Sequence, residues 1–482
     1  MSPYGPPPIL FRDRRWSGRE ISSIALAWRE ALGEEFSASS DPAAMVMANH
    51  LEAVALFFAL SSCCAPVILL PSDPRGWRTR PPIPSGTRMV LPPAFAHLES
   101  EAACLGLHVT VLPEVDEAAC PPEVPFMTCP GFVILTSGST GLPRPAYRRT
   151  ATLLQASAAR VAALGFPARA GVIAVLPLDR PQGLMYLMAA TVLGRPVGLL
   201  EHFRHNALLT LFASGEYHHW AGTPVMADIL NRSVLAGPHP APPICVLAGR
   251  LPASMCRAFE ARFGIPLRQE YGATEALVVT VDGGPGSEVR SQTAGRPLPG
   301  VGVHVGDDPR VPCLVGEPGR IWVSSPWLME GYGFPPEVEP VATVEGWWPS
   351  PDIGQLDDDG YLTILGRLDD CIRTGAGHLV SPAEVAAALE GHPGVTDAAV
   401  VPLEASAGPV LGVLVQSAQA LQPDDVRRHL ARSLPPWAQP RVLEVTRELP
   451  RLPSGRTDRR ACIAILEKAL PLQRRHADPA AP

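Results

Sequence analysis

Short apolar runs alternate with longer amphipathic stretches along the N-terminal part of the chain. Residues 45–70 have the pattern of a strand, a helix and a strand, and similar alternation continues through residues 89–113. Further units of this kind follow at residues 171–200 and 244–270. Strands that alternate with helices in this way are typical of parallel sheets covered by helices. The pattern therefore predicts an α/β fold with a large N-terminal domain.

The pattern changes after residue 294, where short apolar runs are separated by Gly/Pro turns. This change predicts a small β-rich subdomain. The polar segment 366–370 is a candidate hinge, and a Ser-Pro pair at 381–382 starts a predicted helix that leads into a compact α+β unit. The predicted organisation is an N-terminal domain at 1–367, a C-terminal domain at 368–470 and a loose tail at 471–482.

Composition excludes several functional classes. The 482 residues carry a formal net charge of −7 and no long basic tract, which argues against a nucleic-acid partner. The uncharged run 53–70 is interrupted by polar residues and a proline, so it fits a core helix and strand better than a membrane span. The N-terminus lacks an apolar signal core, and the ten cysteines form no CxxC pair. We therefore expect a soluble cytoplasmic protein with buried free thiols.

A loop rich in glycine and hydroxyl residues lies between an apolar run, 132–135, and a helical pattern, 150–164. It consists of Thr136, Ser137, Gly138, Ser139, Thr140 and Gly141, with Arg144 shortly after. Glycines allow the backbone to approach an anion closely, and hydroxyl and amide groups donate hydrogen bonds to it. The loop lacks the Gly-Lys-Ser/Thr of a Walker A motif and the Gly-x-Ser-x-Gly of a nucleophile elbow. It is either a phosphate-binding loop or a plain turn.

A second motif, Tyr271-Gly272-Ala273-Thr274-Glu275, follows the predicted strand 266–270. Ligands of open α/β sheets bind beyond the carboxyl ends of the strands. The two motifs are therefore expected to face one crevice.

These two motifs occur in order with several others. The further pieces are 294–300 (Ala-Gly-Arg-Pro-Leu-Pro-Gly), Gly331-Tyr332, Gly346-Trp347 through Asp352, Gly360-Tyr361, 366–370 (Gly-Arg-Leu-Asp-Asp) and 449–456 (Leu-Pro-Arg-Leu-Pro-Ser-Gly-Arg). In this order and spacing the sequence resembles the acyl-adenylate-forming superfamily of acyl- and aryl-CoA synthetases, luciferases and non-ribosomal adenylation domains.

The resemblance implies a two-step reaction. A small carboxylic acid attacks the α-phosphate of ATP, with Mg²⁺ present, to give acyl-AMP and pyrophosphate. A thiol, either of CoA or of the phosphopantetheine on a carrier protein, then displaces AMP. The C-terminal domain is expected to rotate about Asp369 between the two steps.

The resemblance also assigns roles to the phosphate side of the site. The loop from Thr136 to Gly141, with Arg144, would hold the β- and γ-phosphates. Thr274 would bind the α-phosphate, and Glu275 would bind Mg²⁺ as a hard oxygen ligand. The alternative for Glu275 is a solvated carboxylate at the start of a helix.

On the nucleoside side, Tyr271 and Gly272 fall in the adenine-binding motif, with the Tyr271 ring stacked on the base. Asp352 would accept hydrogen bonds from the ribose, with Arg367 beside it. The alternatives are an aromatic residue at a strand end for Tyr271 and a turn residue for Asp352.

Two arginines stand where the family has lysines. The catalytic lysine of the C-terminal domain falls at Arg456, and the lysine of the phosphate loop falls at Arg144; Lys468 is the only lysine in the chain. A coding bias that replaced lysine by arginine explains this without loss of function. Alternatively adenylation is impaired, because a planar guanidinium does not replace a compact ammonium ion freely. A catalytically silent nucleotide-binding partner or scaffold protein is then the competing function.

The acid pocket of the family is lined by the segment after Pro177 and by residues near Gly249 and Tyr271. Here Asp179 can pair with an amino group of the substrate, and Arg180 with a second acid or a phenolate. A salt bridge between Asp179 and Arg180 is the alternative. An amine or hydroxyl acceptor in place of the thiol is a further, weaker possibility.

Overall fold

The computed structural model describes residues 4–115, 125–136, 142–166, 171–233, 244–248, 251–283, 289–290, 292–311, 314–368, 371–373, 379–405, 408–451 and 457–470. The α-helices of this part of the chain are α1 (Gly18–Ala38), α2 (Leu51–Ser61), α3 (Glu99–Cys104), α4 (Thr150–Leu164), α5 (Pro181–Leu193), α6 (His205–Ala213), α7 (Pro224–Arg232), α8 (Ala253–Phe263), α9 (Pro382–Glu390), α10 (Pro423–Leu430) and α11 (Arg459–Ala469).

The strands are β1 (Ile9–Phe11), β2 (Arg14–Trp16), β3 (Ala43–Val46), β4 (Val67–Leu70), β5 (Arg88–Leu91), β6 (His108–Val111), β7 (Gly131–Leu135), β8 (Pro145–Arg149), β9 (Gly171–Ala174), β10 (Val197–Leu199), β11 (Tyr217–Gly222), β12 (Ile244–Ala248), β13 (Leu267–Ala273), β14 (Leu277–Val281), β15 (Arg296–Pro297), β16 (Gly302–Val305), β17 (Gly319–Ser324), β18 (Gly331–Phe334), β19 (Glu337–Pro340), β20 (Trp348–Leu356), β21 (Leu362–Arg367), β22 (Ile372–Arg373), β23 (Leu379–Val380), β24 (Asp397–Ala405), β25 (Gly408–Gln416) and β26 (Val442–Thr446).

Two large sheets carry the site motifs. One has the strand order β15-β14-β13-β12-β11-β9-β10-β1-β2, and its central strands are parallel. The other has the order β19-β18-β8-β7-β4-β3-β5-β6, with β3 to β7 parallel and β8 antiparallel to β7. The strands β3, β4 and β7 are buried along their whole length, as expected of parallel strands with both faces covered. The predicted α/β fold class is confirmed.

The contacts divide the chain into two compact units. The first comprises residues 1–303, 323–348 and 360–362, and the second comprises 304–322, 349–359 and 363–482. The sheet β16-β17-β20-β21 lies mostly in the second unit, as do the sheet β24-β25-β26 and the helices α9 to α11. The sequence analysis placed the small β-rich subdomain in the N-terminal domain. Because Asp369, the predicted hinge, is outside the described residues, the boundary at Arg367 stays a prediction.

Local sequence signals account for most helix ends. Helix α4 has the predicted bounds and ends at Gly165 in the left-handed conformation, with φ of 61°. Helix α5 begins at Pro181, which occupies its first turn, where a missing N–H costs nothing. Its buried side chains include Leu184, Met185, Met188 and Ala189, which belong to the core.

Two strand predictions need correction. The first of the short apolar runs predicted after residue 294 forms only the two-residue strand Arg296–Pro297, because Gly295 and Gly300 both have positive φ angles and interrupt it. The second motif does not lie beyond a strand end: β13 runs on to Ala273 and turns back into β14, an antiparallel partner that the sequence analysis did not predict.

Cysteine burial follows the prediction only in part. Cys63, Cys129, Cys245, Cys256 and Cys462 are buried free thiols, whereas Cys64 and Cys104 are exposed. In the part of the chain that the structure describes, no helix has the length and apolar character needed to cross a membrane.

Candidate active site

The two ends of the glycine-rich loop are joined by a pair of hydrogen bonds. The Thr136 N–H donates to the Arg144 carbonyl oxygen over 2.9 Å, and the Arg144 N–H donates to Thr136 Oγ1 over 3.0 Å. Both residues continue the antiparallel pair β7–β8, whose register places Leu135 opposite Pro145. The chain therefore leaves and re-enters the sheet at one point, as a loop that wraps an anion requires.

Arg144 and Glu275 both contact the side chain of Tyr332. The Arg144 guanidinium carbon is 3.5 Å from the centroid of the Tyr332 ring, and the Tyr332 hydroxyl donates to Glu275 Oε1. Burial is the main cause that raises the pKa of Tyr332, and the negative charge of the Glu275 carboxylate is the second. The phenol therefore stays protonated and can donate to the carboxylate. The contact joins the exit of the glycine-rich loop to the end of the second motif.

The backbone of the second motif is held by Arg148, which sequence reasoning missed. Arg148 is 1% exposed in β8, and its guanidinium donates to the carbonyl oxygens of Thr274 (2.8 Å), Glu275 (3.0 Å) and Trp327. The Glu275 carbonyl also accepts from the Met329 N–H over 2.8 Å. Burial lowers the pKa of Arg148 to about 10, so the side chain remains a cation at neutral pH.

The turn between β13 and β14 requires glycine at 272. A Cβ atom there would lie 2.1 Å from the Leu277 carbonyl oxygen, closer than any real contact. Leu277 itself has a φ of 52°, in the left-handed region. This tight reversal presents Thr274 and Glu275 at its tip, so Gly272 has a structural reason to be in the motif.

A buried ion pair lies immediately before Tyr271. Glu270 accepts from Arg160 of α4 over 2.7 and 2.9 Å and from Gln182 of α5 over 2.7 Å. The Arg160 guanidinium also lies over the Tyr186 ring, 3.9 Å from its centroid. These contacts tie α4 and α5 to β13 and so fix the backbone from which the buried Tyr271 ring projects.

In the second unit, Asp352 is a buried carboxylate with defined partners. The Ser350 hydroxyl donates to Asp352 Oδ2 over 3.1 Å, and Arg367 Nη1 donates to Asp352 Oδ1 over 3.3 Å. The sequence predicted that Arg367 would lie beside Asp352, and the structure places it there. A carboxylate can accept several hydrogen bonds at once, so Asp352 is chemically suited to bind hydroxyl groups.

Asp179 and Arg180 form a salt bridge, with Arg180 Nε 3.2 Å from Asp179 Oδ2. Asp179 is buried whereas Arg180 is partly exposed, and burial raises the pKa of Asp179. Arg180 also donates weakly to the Leu135 carbonyl oxygen over 3.4 Å, just before the glycine-rich loop. The pair therefore lies close to the start of the glycine-rich loop, and its predicted role toward the acid stays a prediction.

Glu275 suits a magnesium ion that is shared with a nucleotide. Only its Oε1 is hydrogen-bonded within the described residues, which leaves Oε2 available as a ligand. Across those residues no cluster of three or more His, Cys, Asp or Glu side chains could hold a metal by itself. Mg²⁺ commonly binds one or two carboxylates together with substrate phosphates and water, and a single free carboxylate oxygen fits that mode.

The remaining predicted residues lie outside the described part of the chain. They are Ser137, Gly138, Ser139, Thr140 and Gly141 of the loop, Gly249 of the predicted acid pocket, the predicted hinge Asp369 and the predicted catalytic residue Arg456.

Family models match most of the chain. The AMP-binding enzyme model matches residues 7–333, and the model of the AMP-binding enzyme C-terminal domain matches residues 384–456. The second match begins two residues into α9.

Curated relatives and solved structures agree with these matches. The chain is 28% identical over 465 residues to a 2-succinylbenzoate–CoA ligase of Geobacillus kaustophilus, with 93% of each chain covered. It is 32% identical over 362 residues to a sulfoacetate–CoA ligase of Cupriavidus necator, which covers 72% of this chain and 69% of the relative. The amide bond synthetase McbA from Marinactinospora thermotolerans superposes with a TM-score of 0.80 at 24% identity, over 96% of this chain and 97% of that one. The chain belongs to the AMP-binding enzyme family, and its similarity to curated CoA ligases identifies it as an AMP-forming acid–thiol ligase.

Proposed function

We propose that the protein activates a small carboxylic acid with ATP and Mg²⁺ as an acyl adenylate and then transfers the acyl group to the thiol of CoA. The observation that carries this proposal is the contact of Arg144 and Glu275 with one phenol ring. It brings a cation for phosphate oxygens and a carboxylate for Mg²⁺ together at the exit of a glycine-rich loop.

For the phosphates, the proposal assigns the β- and γ-groups to the loop Thr136–Gly141 and Arg144, and the α-group to Thr274. Bound Mg²⁺, held by Glu275, would neutralise the charge that collects on the phosphate oxygens. The chain's own contribution is to hold the acid oxygen in line with the α-phosphorus and to exclude water. Arg148 supports this geometry because it fixes the carbonyls of Thr274 and Glu275.

For the nucleoside, we assign stacking on the adenine ring to Tyr271, next to Gly272. Asp352, aligned by Ser350 and Arg367, accepts hydrogen bonds from the ribose hydroxyls. Buried and pre-oriented side chains lose little freedom on binding, which favours a specific site for ATP over other phosphates.

For the second half-reaction, we assign the hinge to Asp369 and the approach of the thiol to the C-terminal domain. The relatives named above are CoA ligases, which favours CoA over the phosphopantetheine of a carrier protein. Asp179, Arg180 and Gly249 are the residues that we assign to the acid pocket. A cytoplasmic location, where ATP and CoA are abundant, goes with this reaction.

Arg456 replaces the lysine that the family uses in the first half-reaction. A guanidinium carries the same charge, and we expect adenylation to proceed, though more slowly than with lysine. A catalytically silent scaffold remains the alternative that the sequence left open, and no observation in the described part of the chain favours it.

The decisive experiment is ATP–pyrophosphate exchange that depends on an added acid, with pools of aryl, fatty, dicarboxylic and sulfonated acids. We expect one pool to support exchange in the wild-type protein and Arg456→Lys to change its rate, with Glu275→Gln as the inactive control. Silence with every pool in a folded protein that binds ATP would contradict the proposal and support the scaffold. An amide formed from an added amine, without any CoA thioester, would instead move the acceptor from a thiol to an amine.

A further inference from the structure

Tyr332 lies between the two charged groups of the phosphate site, yet the reaction assigns it no task. It belongs to β18, which pairs with β8 so that Tyr332 is opposite Ala146, two residues after Arg144. One face of its ring carries the Arg144 guanidinium at 3.5 Å, and its hydroxyl donates to Glu275 Oε1. The same side chain therefore contacts the cation of the loop and the carboxylate of the second motif.

Each contact restricts one charged side chain before a nucleotide arrives. The hydrogen bond restricts the rotamer of Glu275 and occupies one carboxylate oxygen, which leaves the other oxygen as the candidate metal ligand. The cation–π contact holds Arg144 beside the loop exit, where it would otherwise sample many rotamers. Hydrogen bonds of this kind orient metal ligands in other proteins, and their removal typically lowers metal affinity by about 10- to 100-fold.

We propose, on the basis of the proposed function, that Tyr332 is a positioning residue. Its hydroxyl orients Glu275 to bind Mg²⁺, and its ring orients Arg144 to bind the phosphates. The two tasks reside in different parts of one side chain and are separable by substitution. Since the phenol touches both groups, Mg²⁺ and the phosphates of ATP favour each other's binding, and this coupling is reciprocal.

Two substitutions separate these tasks. Tyr332→Phe removes the hydroxyl and keeps the ring under Arg144, whereas Tyr332→Leu removes both. The matched control is Tyr147→Phe, the same chemical change on the adjacent strand β8, where Tyr147 is opposite Gly331. The backbone pairing of β18 with β8 and β19 does not depend on the Tyr332 side chain, so the variants are expected to fold.

The experiment is calorimetric titration of each purified full-length variant with ATP, first in EDTA and then at a series of Mg²⁺ concentrations. No acid or CoA is needed. We expect Tyr332→Phe to raise the Mg²⁺ concentration for half-maximal enhancement of ATP binding by about tenfold, with the affinity for metal-free ATP unchanged within about twofold. Tyr332→Leu should show this same shift and in addition lower the affinity for metal-free ATP several-fold. Tyr147→Phe should resemble the wild type in both titrations.

Other results would overturn the inference. Equal losses of metal-free and Mg²⁺-dependent binding in Tyr332→Phe, together with a lower melting temperature, would show a merely structural role. Wild-type behaviour of Tyr332→Phe would refute the inference while leaving the proposed ligase intact. Failure of the wild-type protein to bind ATP at any Mg²⁺ concentration would instead refute the proposed function, and the inference with it.

Discussion

Arg148 donates from one guanidinium nitrogen to the carbonyl oxygens of both Thr274 and Glu275, which lie 126 and 127 positions further along the chain. Arg148 belongs to β8, so the strand that follows the glycine-rich loop also fixes the residues assigned to the α-phosphate and to Mg²⁺. The planar fork of a guanidinium can serve several carbonyls at once, which an ammonium ion cannot do in the same geometry.

Arg148→Met is expected to destabilise the protein by about 3 kcal/mol or more, because it removes the donor to the carbonyl oxygens of Thr274 and Trp327 and one of the two donors to that of Glu275. The Arg148→Lys variant should fold, with an unfolding free energy lower by about 1–2 kcal/mol. Its rate of ATP–pyrophosphate exchange should fall at least tenfold, because the turn is no longer held in place. Urea denaturation and pyrophosphate exchange measure the two effects. The control is Arg149→Met: the Arg149 side chain is 65% exposed in its pair with Glu330, and its loss should cost less than about 1 kcal/mol. Equal behaviour of the two methionine variants would refute the role of Arg148.

The buried pair Arg160–Glu270 gives a second prediction. Arg160→Met removes the cation and leaves the buried Glu270 carboxylate with Gln182 as its one side-chain donor among the described residues, which is expected to cost about 3–5 kcal/mol in unfolding free energy. Adding Glu270→Gln removes the stranded charge and still offers an oxygen to Gln182. We expect the double variant to recover at least half of that loss in urea denaturation at pH 7. A double variant as unstable as the single one would show that packing, and not the unpaired charge, dominates this cluster.

The elements of the fold were largely predictable because their signals are local. Helix α4 follows from apolar spacing between a loop and Gly165, and α8 ends at Gly264 where the pattern stops. The parallel strands follow from continuous apolar runs such as 131–135. The reversal of β13 into β14 was not predicted, because it depends on Gly272 meeting the Leu277 carbonyl oxygen, a contact between two backbones.

The candidate site was predictable only where motifs carry it. Thr274, Glu275, Asp352 and Arg367 were identified from their motifs, and the structure then supplied partners for three of these side chains. Arg148 was missed because two adjacent arginines on a strand suggest a solvated face, and no short-range pattern reveals a carbonyl partner 126 positions away. Glu270 was passed over for the same reason, since its partners come from α4 and α5.

Asp352 provides a test of ribose binding. Its carboxylate is held by Ser350 and Arg367, so Asp352→Asn keeps the shape of the side chain but replaces one acceptor oxygen with a donor group. We expect the KM for ATP to rise about tenfold or more, with a smaller change in kcat. When 2′-deoxy-ATP or 3′-deoxy-ATP replaces ATP, the KM of the wild type for the nucleotide should rise. The KM of the variant should change little further. Asp358→Asn, in the exposed turn nearby, is the control; if the variant still discriminated against both deoxynucleotides, Asp352 would not be the ribose acceptor.

His219 predicts how stability depends on pH. It is fully buried in β11, its ring stacks on Phe166 with centroids 3.3 Å apart, and neither ring nitrogen has a hydrogen-bond partner among the described residues. Burial, reinforced by the positive charge of Arg160, lowers the pKa of His219 to about 2. His219 therefore stays neutral in the folded protein, whereas in the unfolded chain it is protonated below the ordinary histidine pKa of about 6.5. The protein loses stability as the pH falls through that value.

By pH 5 this single group should cost about 2 kcal/mol in unfolding free energy relative to pH 8. His219→Leu, which cannot take up the proton when unfolded, should reduce the loss between pH 8 and pH 5 by that amount. The exposed His202 provides the matched control, since His202→Leu should leave the pH dependence as in the wild type. Urea titrations of the three proteins at pH 8, 6.5 and 5 measure the effect. An unchanged slope in His219→Leu would mean that His219 is protonated in the folded state.

Gly295 sits where the chain enters the short strand β15, and its backbone is at φ of 79°. A Cβ atom there would lie 2.0 Å from the carbonyl carbon and oxygen of Val281 and 2.2 Å from the Asp282 nitrogen. Because these are backbone atoms of β14 and its end, they cannot move aside as a flexible side chain would. Gly264, which ends α8 at a φ of 72°, has nothing within 4 Å of the same position. The two glycines thus share the conformation and differ in the space around it.

Gly264→Ala should therefore cost only the left-handed backbone penalty, about 1–2 kcal/mol. Gly295→Ala should cost that penalty plus the overlap with β14, about 4 kcal/mol or more in total. Midpoints of urea denaturation for the two variants give the difference directly, because the change in chemistry is identical. If Gly295→Ala were no worse than Gly264→Ala, the chain at 294–297 would be able to separate from β14, and the close pairing of β15 with β14 would not be needed for stability.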